Sequence, residues 1–243
     1  AEIAAERLRE ILPSVNAQGV QLSIPLPGHP QDLHSLGPVV DQLAQLVEAA
    51  DVVFMLTDSR ESRWLPSLLV AQNPAKLGIS VALGFDSYLV KTHALSACYF
   101  CNDVSAPSSS TNFRTLDQQC TVTRPGLAAI ASCVAVELVA NLSQSGFSAP
   151  RSVSDRATLL GAIPDQIQGF LGSFTSFPAV TEKNPNCICC SDQIVTEFKQ
   201  GGIAFVEKVV SDAQYLMQAS GMAKEIEQME SLHLDDFALD EED

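Results

Sequence analysis

The sequence predicts an α/β protein whose sheet contains parallel strands. Two short, continuous apolar runs at residues 51–56 and 79–83 are typical of strands that are covered on both faces. A helical pattern that includes Trp64 and ends near Gln72 lies between them. Strand, helix and strand in this order form a βαβ unit, whose two strands run parallel in one sheet.

Further elements precede this unit. Apolar residues at helical spacing predict helices at residues 1–12 and 39–50. Between these helices every second residue is apolar over residues 19–25, which predicts a half-buried strand. The N-terminal quarter is therefore expected to contribute two helices and one strand.

The second half of the chain is predicted to be mixed, with two long helices and intervening loops. The most apolar helix spans residues 125–142, with a proline in its first turn, where a missing N–H is tolerated. Residues 105–113 are rich in serine and predict a loop. A helix over residues 192–217 is expected to break near Gly201 and Gly202.

Composition and charge exclude two broad classes of protein. The formal charge is −15 at pH 7, whereas general nucleic-acid binding requires clustered Lys and Arg. No apolar run reaches the roughly 18 residues that a membrane-spanning helix needs. The seven cysteines are an odd number in a chain too large to need disulfides, which favours a reducing compartment such as the cytoplasm.

The C-terminal end of the chain is strongly acidic. Residues 235–243 contain six Asp and Glu residues and no Lys or Arg. A block of like charges repels itself and stays hydrated, so we expect this segment to be a solvated tail.

Four cysteines have the spacing of a structural zinc site. Cys98 and Cys101 form one C-x-x-C pair, and Cys187 and Cys190 form a second. Zinc binds four thiolates at tetrahedral positions, and two intervening residues allow both cysteines of a turn to reach one ion. The alternatives are a redox dithiol or unrelated free thiols, although neither pair opens a helix of a thioredoxin-like unit. Cys189 could replace one of its neighbours as a ligand.

Asp58 lies where the strand predicted at residues 51–56 ends. Ligands of open α/β sheets bind at the carboxyl ends of strands, so this carboxylate could hold the magnesium of a triphosphate. The alternative is that Asp58 caps the helix that follows. The neighbouring Arg60, Glu61 and Arg63 could form a solvated face of that helix.

Cys120 lies among polar residues in the sequence RTLDQQCTVTRPG, at residues 114–126. It precedes a predicted helix and has arginines nearby, and both features favour the thiolate, the nucleophilic form of cysteine. An aspartate in the same stretch acts in the opposite direction. The sequence pattern is compatible with Cys120 as a nucleophile and with Cys120 as an unreactive thiol. A Cys–His hydrolase would need His93, the nearest histidine in the sequence.

Several motifs together resemble a single family of enzymes. The sequences TDSRESRWLP, ALGFDSYLV, CYFCNDV and above all RTLDQQCTVTRPG resemble the C-terminal adenylation region of the activating enzymes of autophagy ubiquitin-like modifiers. The sequences PGHP, IPDQIQG and CICC and the acidic end fit the same family. The resemblance covers nearly the whole chain, and the thirteen-residue motif around Cys120 is highly specific.

The resemblance implies a partial doubly wound, Rossmann-like adenylation domain over residues 1–190, with a catalytic-cysteine crossover loop and a zinc-bound crossover segment. Residues 191–243 would form a helical extension with an acidic tail. Such an enzyme binds ATP with magnesium and adenylates the C-terminal glycine of its modifier. It then forms a thioester on the residue that Cys120 matches and transfers the modifier to a cognate conjugating enzyme. Asp58 matches the aspartate that works with magnesium and ATP. The zinc ligands of the family match Cys98, Cys101, Cys187 and Cys190.

The resemblance also has a gap. The sequence contains no G-x-G-x-x-G, and the match begins after the family's Gly-rich nucleotide loop, so we expect a fragment that is inactive alone. The alternative is a non-catalytic remnant that zinc holds together and that binds a modifier. The full-length enzyme is expected to be a cytoplasmic homodimer with no nucleic-acid partner and no membrane insertion.

Overall fold

The computed structural model describes residues 1–29, 32–93, 97–102, 122–144, 157–212 and 214–228. The helices in these ranges include α1 (Glu2–Ile11), α2 (Leu33–Ala49), α3 (Arg60–Ala71), α4 (Leu127–Ser143), α5 (Asp192–Gly201), α6 (Ile203–Ser211) and α7 (Gln214–Ser220). Residues 222–228 are also helical. The strands are β1 (Val52–Met55), β2 (Leu77–Leu83), β3 (Ser87–His93), β4 (Ala157–Thr158), β5 (Gly161–Ala162), β6 (Gln166–Phe170) and β7 (Thr175–Ala179). A 3₁₀ helix spans Tyr99–Asn102.

Five strands form one sheet in the order β1-β2-β3-β6-β7, and β4 and β5 form a separate pair. Strands β1 and β2 are parallel, with Val52 opposite Leu77, which confirms the predicted βαβ unit. The other three pairs are antiparallel, so the described sheet is mixed and the expectation of a parallel sheet holds only for β1 and β2. Residues 84–86 connect β2 to β3, and so short a link permits only an antiparallel hairpin.

Helices cover both faces of β2. Ile79 and Val81 belong to an apolar core that α4 shares. The position of Gly78 faces α3 on the opposite side of the sheet. A Cβ at this position would lie 2.9 Å from Met55 Cε and 3.1 Å from Val70 Cγ1 of α3. The prediction that this apolar run is a strand covered on both faces is therefore confirmed.

Strand β1 lies at one edge of the described sheet. Its Phe54 side chain is 42% exposed, so the expectation that both faces of this strand are covered is wrong. A continuous apolar run identifies a buried strand only when helices happen to cover both of its faces, and α3 covers one face here.

Residues 19–25 do not pair with the sheet, so the predicted strand is wrong within the described residues. The alternation itself is present, since Leu22 and Ile24 are half-buried whereas Gln21 and Ser23 are exposed. Periodicity predicts which side chains face inwards, but a strand also needs a neighbour for its backbone hydrogen bonds, and the sequence pattern contains no information about that neighbour.

The helix boundaries have identifiable local causes. Helix α2 begins at Leu33, before the predicted residue 39, because Asp32 Oδ1 accepts a hydrogen bond from His34 N at 3.1 Å and caps the helix. The predicted break at the paired glycines is confirmed, since Gly202 has a φ of +53° between α5 and α6. A further break at Asp212, between α6 and α7, was not predicted.

Some predictions lie outside the described residues. These are the serine-rich loop at residues 105–113, the acidic tail at residues 235–243 and Cys120. The domain boundary after residue 190 stays a prediction, although Ile188 and Ile194 on either side of it belong to one core. Among the described helices, none combines the length and apolarity that crossing a membrane requires.

Candidate metal centre and strand-end carboxylate

The two C-x-x-C pairs come together, as the sequence predicts. All four side chains are buried, and their sulfur atoms lie within 4.8 Å of one another. Cys98 Sγ is 3.5 Å from Cys187 Sγ, and Cys101 Sγ is 3.4 Å from Cys190 Sγ. The sulfurs of the first pair thus lie next to the sulfurs of the second pair.

The spacing of the sulfurs fits a tetrahedral metal ion. Four thiolates at about 2.3 Å from a zinc ion lie about 3.8 Å apart. Three of the six separations between the sulfurs are 3.4, 3.5 and 3.9 Å, and all six lie within 4.8 Å. A disulfide would require about 2.05 Å, and these cysteines are free. The donor set and its geometry are therefore compatible with a zinc ion.

The two cysteine turns are residues 98–101 and 187–190. In each turn, backbone amides donate hydrogen bonds to the sulfur of the first cysteine. Phe100 N donates to Cys98 Sγ at 3.3 Å. In the second turn, Cys189 N and Cys190 N each donate to Cys187 Sγ at 3.4 Å. Hydrogen bonds to the charged form of an acid favour that form, so this backbone geometry supports thiolates, which are the ligand form of cysteine.

Cys189 is not part of the cluster. Its Sγ donates to Trp64 O at 3.8 Å, and the group of sulfurs that could share a metal ion consists of the other four. Of the two ligand choices that the sequence leaves open in CICC, the geometry therefore favours Cys187 and Cys190.

The electrostatic environment of the cluster is mixed. Burial raises the pKa of Cys98, whereas hydrogen bonds with Cys187 and Cys190 lower the pKa of Cys101 well below its usual value. Lys91 is 1% exposed and donates a hydrogen bond to Thr181 Oγ1. Burial lowers the pKa of Lys91, although Asp165 and the cluster cysteines act in the opposite direction. A protonated Lys91 and thiolates in the cluster would therefore stabilise each other.

The second cysteine turn is fixed by its neighbours on both sides. Trp64 Nε1 donates to Ile188 O at 3.0 Å, which links α3 to the middle of the turn. Immediately after the turn, Ser191 Oγ accepts from Ile194 N at 3.3 Å and caps α5. The cysteines therefore connect the α3 side of the sheet directly to the C-terminal helices.

Asp58 lies in the segment that joins the carboxyl end of β1 to α3, and it is exposed. The helix cap is Ser59, whose Oγ accepts a hydrogen bond from Ser62 N at 3.3 Å. The interpretation of Asp58 as the cap is therefore wrong. Its carboxylate is at the edge of the sheet where ligands of α/β proteins bind, and capping does not occupy it.

The solvated helix face expected after Asp58 is wrong for two of its three residues. Glu61 is 5% exposed and Arg63 is 2% exposed. Arg63 Nη2 donates to Thr57 O and, at 3.3 Å, to Val81 O. Nothing in the local pattern distinguishes this arginine from Arg60, because its acceptors are backbone carbonyls that come together only in the folded sheet.

His93 does not have the surroundings of a surface base. It is fully buried on β3, and its Nε2 is 2.7 Å from Ser80 Oγ. Burial lowers the pKa of His93 to about 3, so the ring is neutral at physiological pH. These observations give no support to a Cys–His hydrolase that uses His93. Cys120 lies outside the described residues.

Comparison with known proteins identifies a family and several similar enzymes. The ThiF family matches residues 1–190. The chain is 45% identical over 98% of its length to the ubiquitin-like modifier-activating enzyme ATG7 of Candida albicans, and it covers 39% of that protein. The identity is 42% with ATG7 of Saccharomyces cerevisiae, over 100% of the chain and 39% of the relative. It is 38% with human ATG7, over 98% and 40%.

These matches cover both cysteine turns and the Asp58 segment, and they confirm the resemblance that the motifs indicate. The chain spans about two fifths of the length of the curated relatives that it matches. A solved structure of E. coli MccB aligns with 79% of this chain and 50% of the MccB chain, at a TM-score of 0.45 and 13% identity. With a family match over residues 1–190, the chain belongs to the ThiF family.

Proposed function

We propose that this chain is the adenylation part of an enzyme that activates ubiquitin-like modifiers of autophagy. The enzyme joins the C-terminal glycine of a modifier to AMP, transfers the glycine to a cysteine as a thioester and passes it to a conjugating enzyme. The observation that supports this most strongly is the 38–45% identity to ATG7 proteins of three species over nearly the whole chain.

Asp58 is the residue that we assign to magnesium and ATP. It is exposed at the carboxyl end of β1, and Ser59 performs the capping that would otherwise occupy it. Magnesium at nucleotide sites is usually held by one or two carboxylates together with phosphate oxygens, and it neutralises charge on the phosphates. An exposed carboxylate that is not engaged in capping suits this role.

Cys120 is the residue that we assign to the thioester. Its thiolate would attack the carbonyl carbon of the modifier adenylate, forming the C–S bond while the C–O bond to AMP breaks and AMP leaves with the electron pair. The support is the match of the motif at residues 114–126 to the family and the polar, arginine-containing sequence around this cysteine.

We assign a structural zinc ion to Cys98, Cys101, Cys187 and Cys190. Four thiolate ligands leave no open position for substrate or water, which is the arrangement of structural and not of catalytic zinc. The ion would stabilise the junction between the sheet and helices α5 to α7. The free state of the described cysteines suits a reducing compartment, and we place the full-length protein in the cytoplasm as a homodimer.

The test uses the full-length enzyme, an autophagy modifier, ATP and magnesium. Wild-type enzyme should exchange pyrophosphate into ATP only when the modifier is present, and non-reducing gels should show an adduct that thiols cleave. The Cys120→Ala variant should keep the exchange and lose the adduct, because alignment of ATP with a carboxylate requires no thiol. The Cys120→Ser variant should form an ester that resists thiols.

Other outcomes would change the proposal. An adduct that survives Cys120→Ala would remove this cysteine from the mechanism. Modifier binding without any exchange would favour the non-catalytic remnant, which zinc holds together and which only captures a modifier.

A further inference from the structure

Arg63 connects the ends of the parallel strands to the metal centre. The side chain is buried, and Nη2 donates to Thr57 O, the carbonyl immediately before Asp58, and to Val81 O of β2. The β1–β2 pairing ends with Met55 opposite Ser80. The guanidinium therefore links the segment that follows β1 to the end of β2, directly beyond the last paired residues. No backbone hydrogen bond between these two described segments holds them together there.

The same guanidinium lies against the first cysteine turn. Arg63 Cζ is 5.2 Å from the centroid of the Tyr99 ring, within the range of a cation–π contact. Tyr99 lies between Cys98 and Cys101, so its position depends on the conformation of that turn. The order of the cysteine turn and the position of the arginine are thus physically linked.

The next residue of α3 contacts the second cysteine turn. Trp64 is fully buried, its indole N–H is bonded to Ile188 O, and its own carbonyl lies 3.8 Å from Cys189 Sγ. Two consecutive residues of one helix therefore contact the two halves of the metal centre. A change in either turn would move the start of α3, which carries the Asp58 segment at its N-terminus.

Metal binding orders such turns. A C-x-x-C turn without metal loses the bonds that hold its sulfurs together, because free thiols are weak hydrogen-bonding groups. The described contacts of Arg63 leave its Nε without a hydrogen-bond partner, so this side chain depends on Nη2 and on the tyrosine ring for its position.

We propose that Arg63 is a positioning residue that couples the four-cysteine centre to residues 57–59, so that metal occupancy determines how firmly the Asp58 carboxylate is held. Arg63 itself is too buried to touch a nucleotide. The consequence for nucleotide binding rests on the proposed function, whereas the coupling itself does not.

The test is hydrogen exchange of backbone amides, measured on the chain with zinc bound and after removal of zinc by a chelator. Fluorescence of Trp64, the one tryptophan of the sequence, reports whether the second cysteine turn has changed. Removal of zinc should speed exchange at residues 57–62 by roughly tenfold, and restored zinc should reverse this. Exchange in α4, which packs on the other face of the sheet, should not change.

Variants separate coupling from a general loss of stability. Arg63→Met should speed exchange at residues 57–62 to a similar extent while zinc content stays the same, and it should make this exchange insensitive to zinc. Arg63→Lys keeps the charge without the fork of donors and should have a smaller effect. Lys199→Met removes an equal charge from the exposed side of α5 and serves as the control, with no expected change.

Several results would overturn the proposal. One is a zinc-dependent change in Trp64 fluorescence without any change at residues 57–62. Another is exchange that rises equally in α4, which would indicate global unfolding. If Arg63→Met does not fold, Arg63→Lys with and without zinc takes its place, and zinc-dependent exchange at residues 57–62 as large as in the wild type would overturn the proposal. None of these readouts requires ATP or a modifier, so failure of the proposed enzymatic function would leave this result unaffected.

Discussion

The two apolar cores on either side of the sheet differ in the side chains that compose them. The first, which we call the cysteine core, contains the cysteine turns together with Trp64, Phe100, Phe198 and Phe205. The second, the aliphatic core, consists mainly of Leu, Ile, Val and Ala side chains between α4 and the sheet. The cysteine core collects distant parts of the chain, namely α2, α3, both turns and helices α5 to α7.

This difference predicts which part of the molecule would depend on a bound metal ion. Helices α5, α6 and α7 have 10, 9 and 7 residues, lengths at which isolated helices are unstable in water. They are held by packing against the cysteine turns and the aromatic side chains. Helix α4 has 17 residues and packs on paired strands, so it needs no ion. We therefore expect loss of metal to destabilise the first core and to leave the second largely intact.

The largest expected effect is that of Cys98→Ser. Loss of one thiolate should abolish stoichiometric zinc binding and lower the free energy of unfolding of the cysteine core on the order of 5 kcal/mol, because binding energy at a structural zinc site is folding energy. Metal analysis and thermal unfolding test this. Cys133→Ser, at an exposed position of α4, is the matched control and should retain both zinc and stability.

A side-chain truncation in the aliphatic core should lower the free energy of unfolding without changing zinc affinity. Leu127 is fully buried at the start of α4, so Leu127→Ala should lower the free energy of unfolding by about 2–5 kcal/mol. Zinc affinity, measured by competition with a chelator, should not change. A loss of zinc affinity in this variant would show that the two cores form one cooperative unit and would break the comparison.

A smaller effect concerns pH, through His93 on β3 between the two cores. Burial lowers the pKa of this imidazole to about 3, from an ordinary value near 6.5. Below pH 6.5 the unfolded chain binds a proton that the folded chain does not, so stability falls with decreasing pH down to the folded pKa. The slope from this group is about 1.4 kcal/mol per pH unit.

His93→Gln should remove that contribution while keeping a polar partner for Ser80. The measurement is urea unfolding of both proteins at pH 7 and pH 5. Equal pH dependence in the variant and the wild type would show that His93 is not the group responsible.

The smallest effects on stability are expected at the end of β1. Ser59→Ala removes the cap of α3 and should cost about 1 kcal/mol. Asp58→Ala should change stability by less than about 0.5 kcal/mol, because this side chain is exposed. In the full-length enzyme, however, Asp58→Ala should weaken Mg-ATP binding, which calorimetry would measure. A stability loss at Asp58 with unchanged nucleotide affinity would contradict the assignment.

Much of the candidate site was predictable because its signals are local. The spacing of Cys98, Cys101, Cys187 and Cys190 predicts a shared ion, and the structure confirms that these sulfurs meet. The position of Asp58 after an apolar run predicts a strand-end carboxylate. The buried roles of Arg63 and Lys91 were not predictable, since both residues depend on partners from other segments.

The sequence by itself determined most of the helices, the βαβ unit, the glycine break before α6 and the spacing that brings four cysteines together, because hydrophobic periodicity and ligand spacing act over a few residues. Strands β3 to β7 were not predicted from the sequence. Only the tertiary structure decided the mixed sheet, the unpaired segment at residues 19–25 and the exclusion of Cys189 from the cluster. Those features depend on contacts such as that between Trp64 and Ile188, which are 124 residues apart. Such pairings follow from the burial of whole surfaces, which local patterns do not specify.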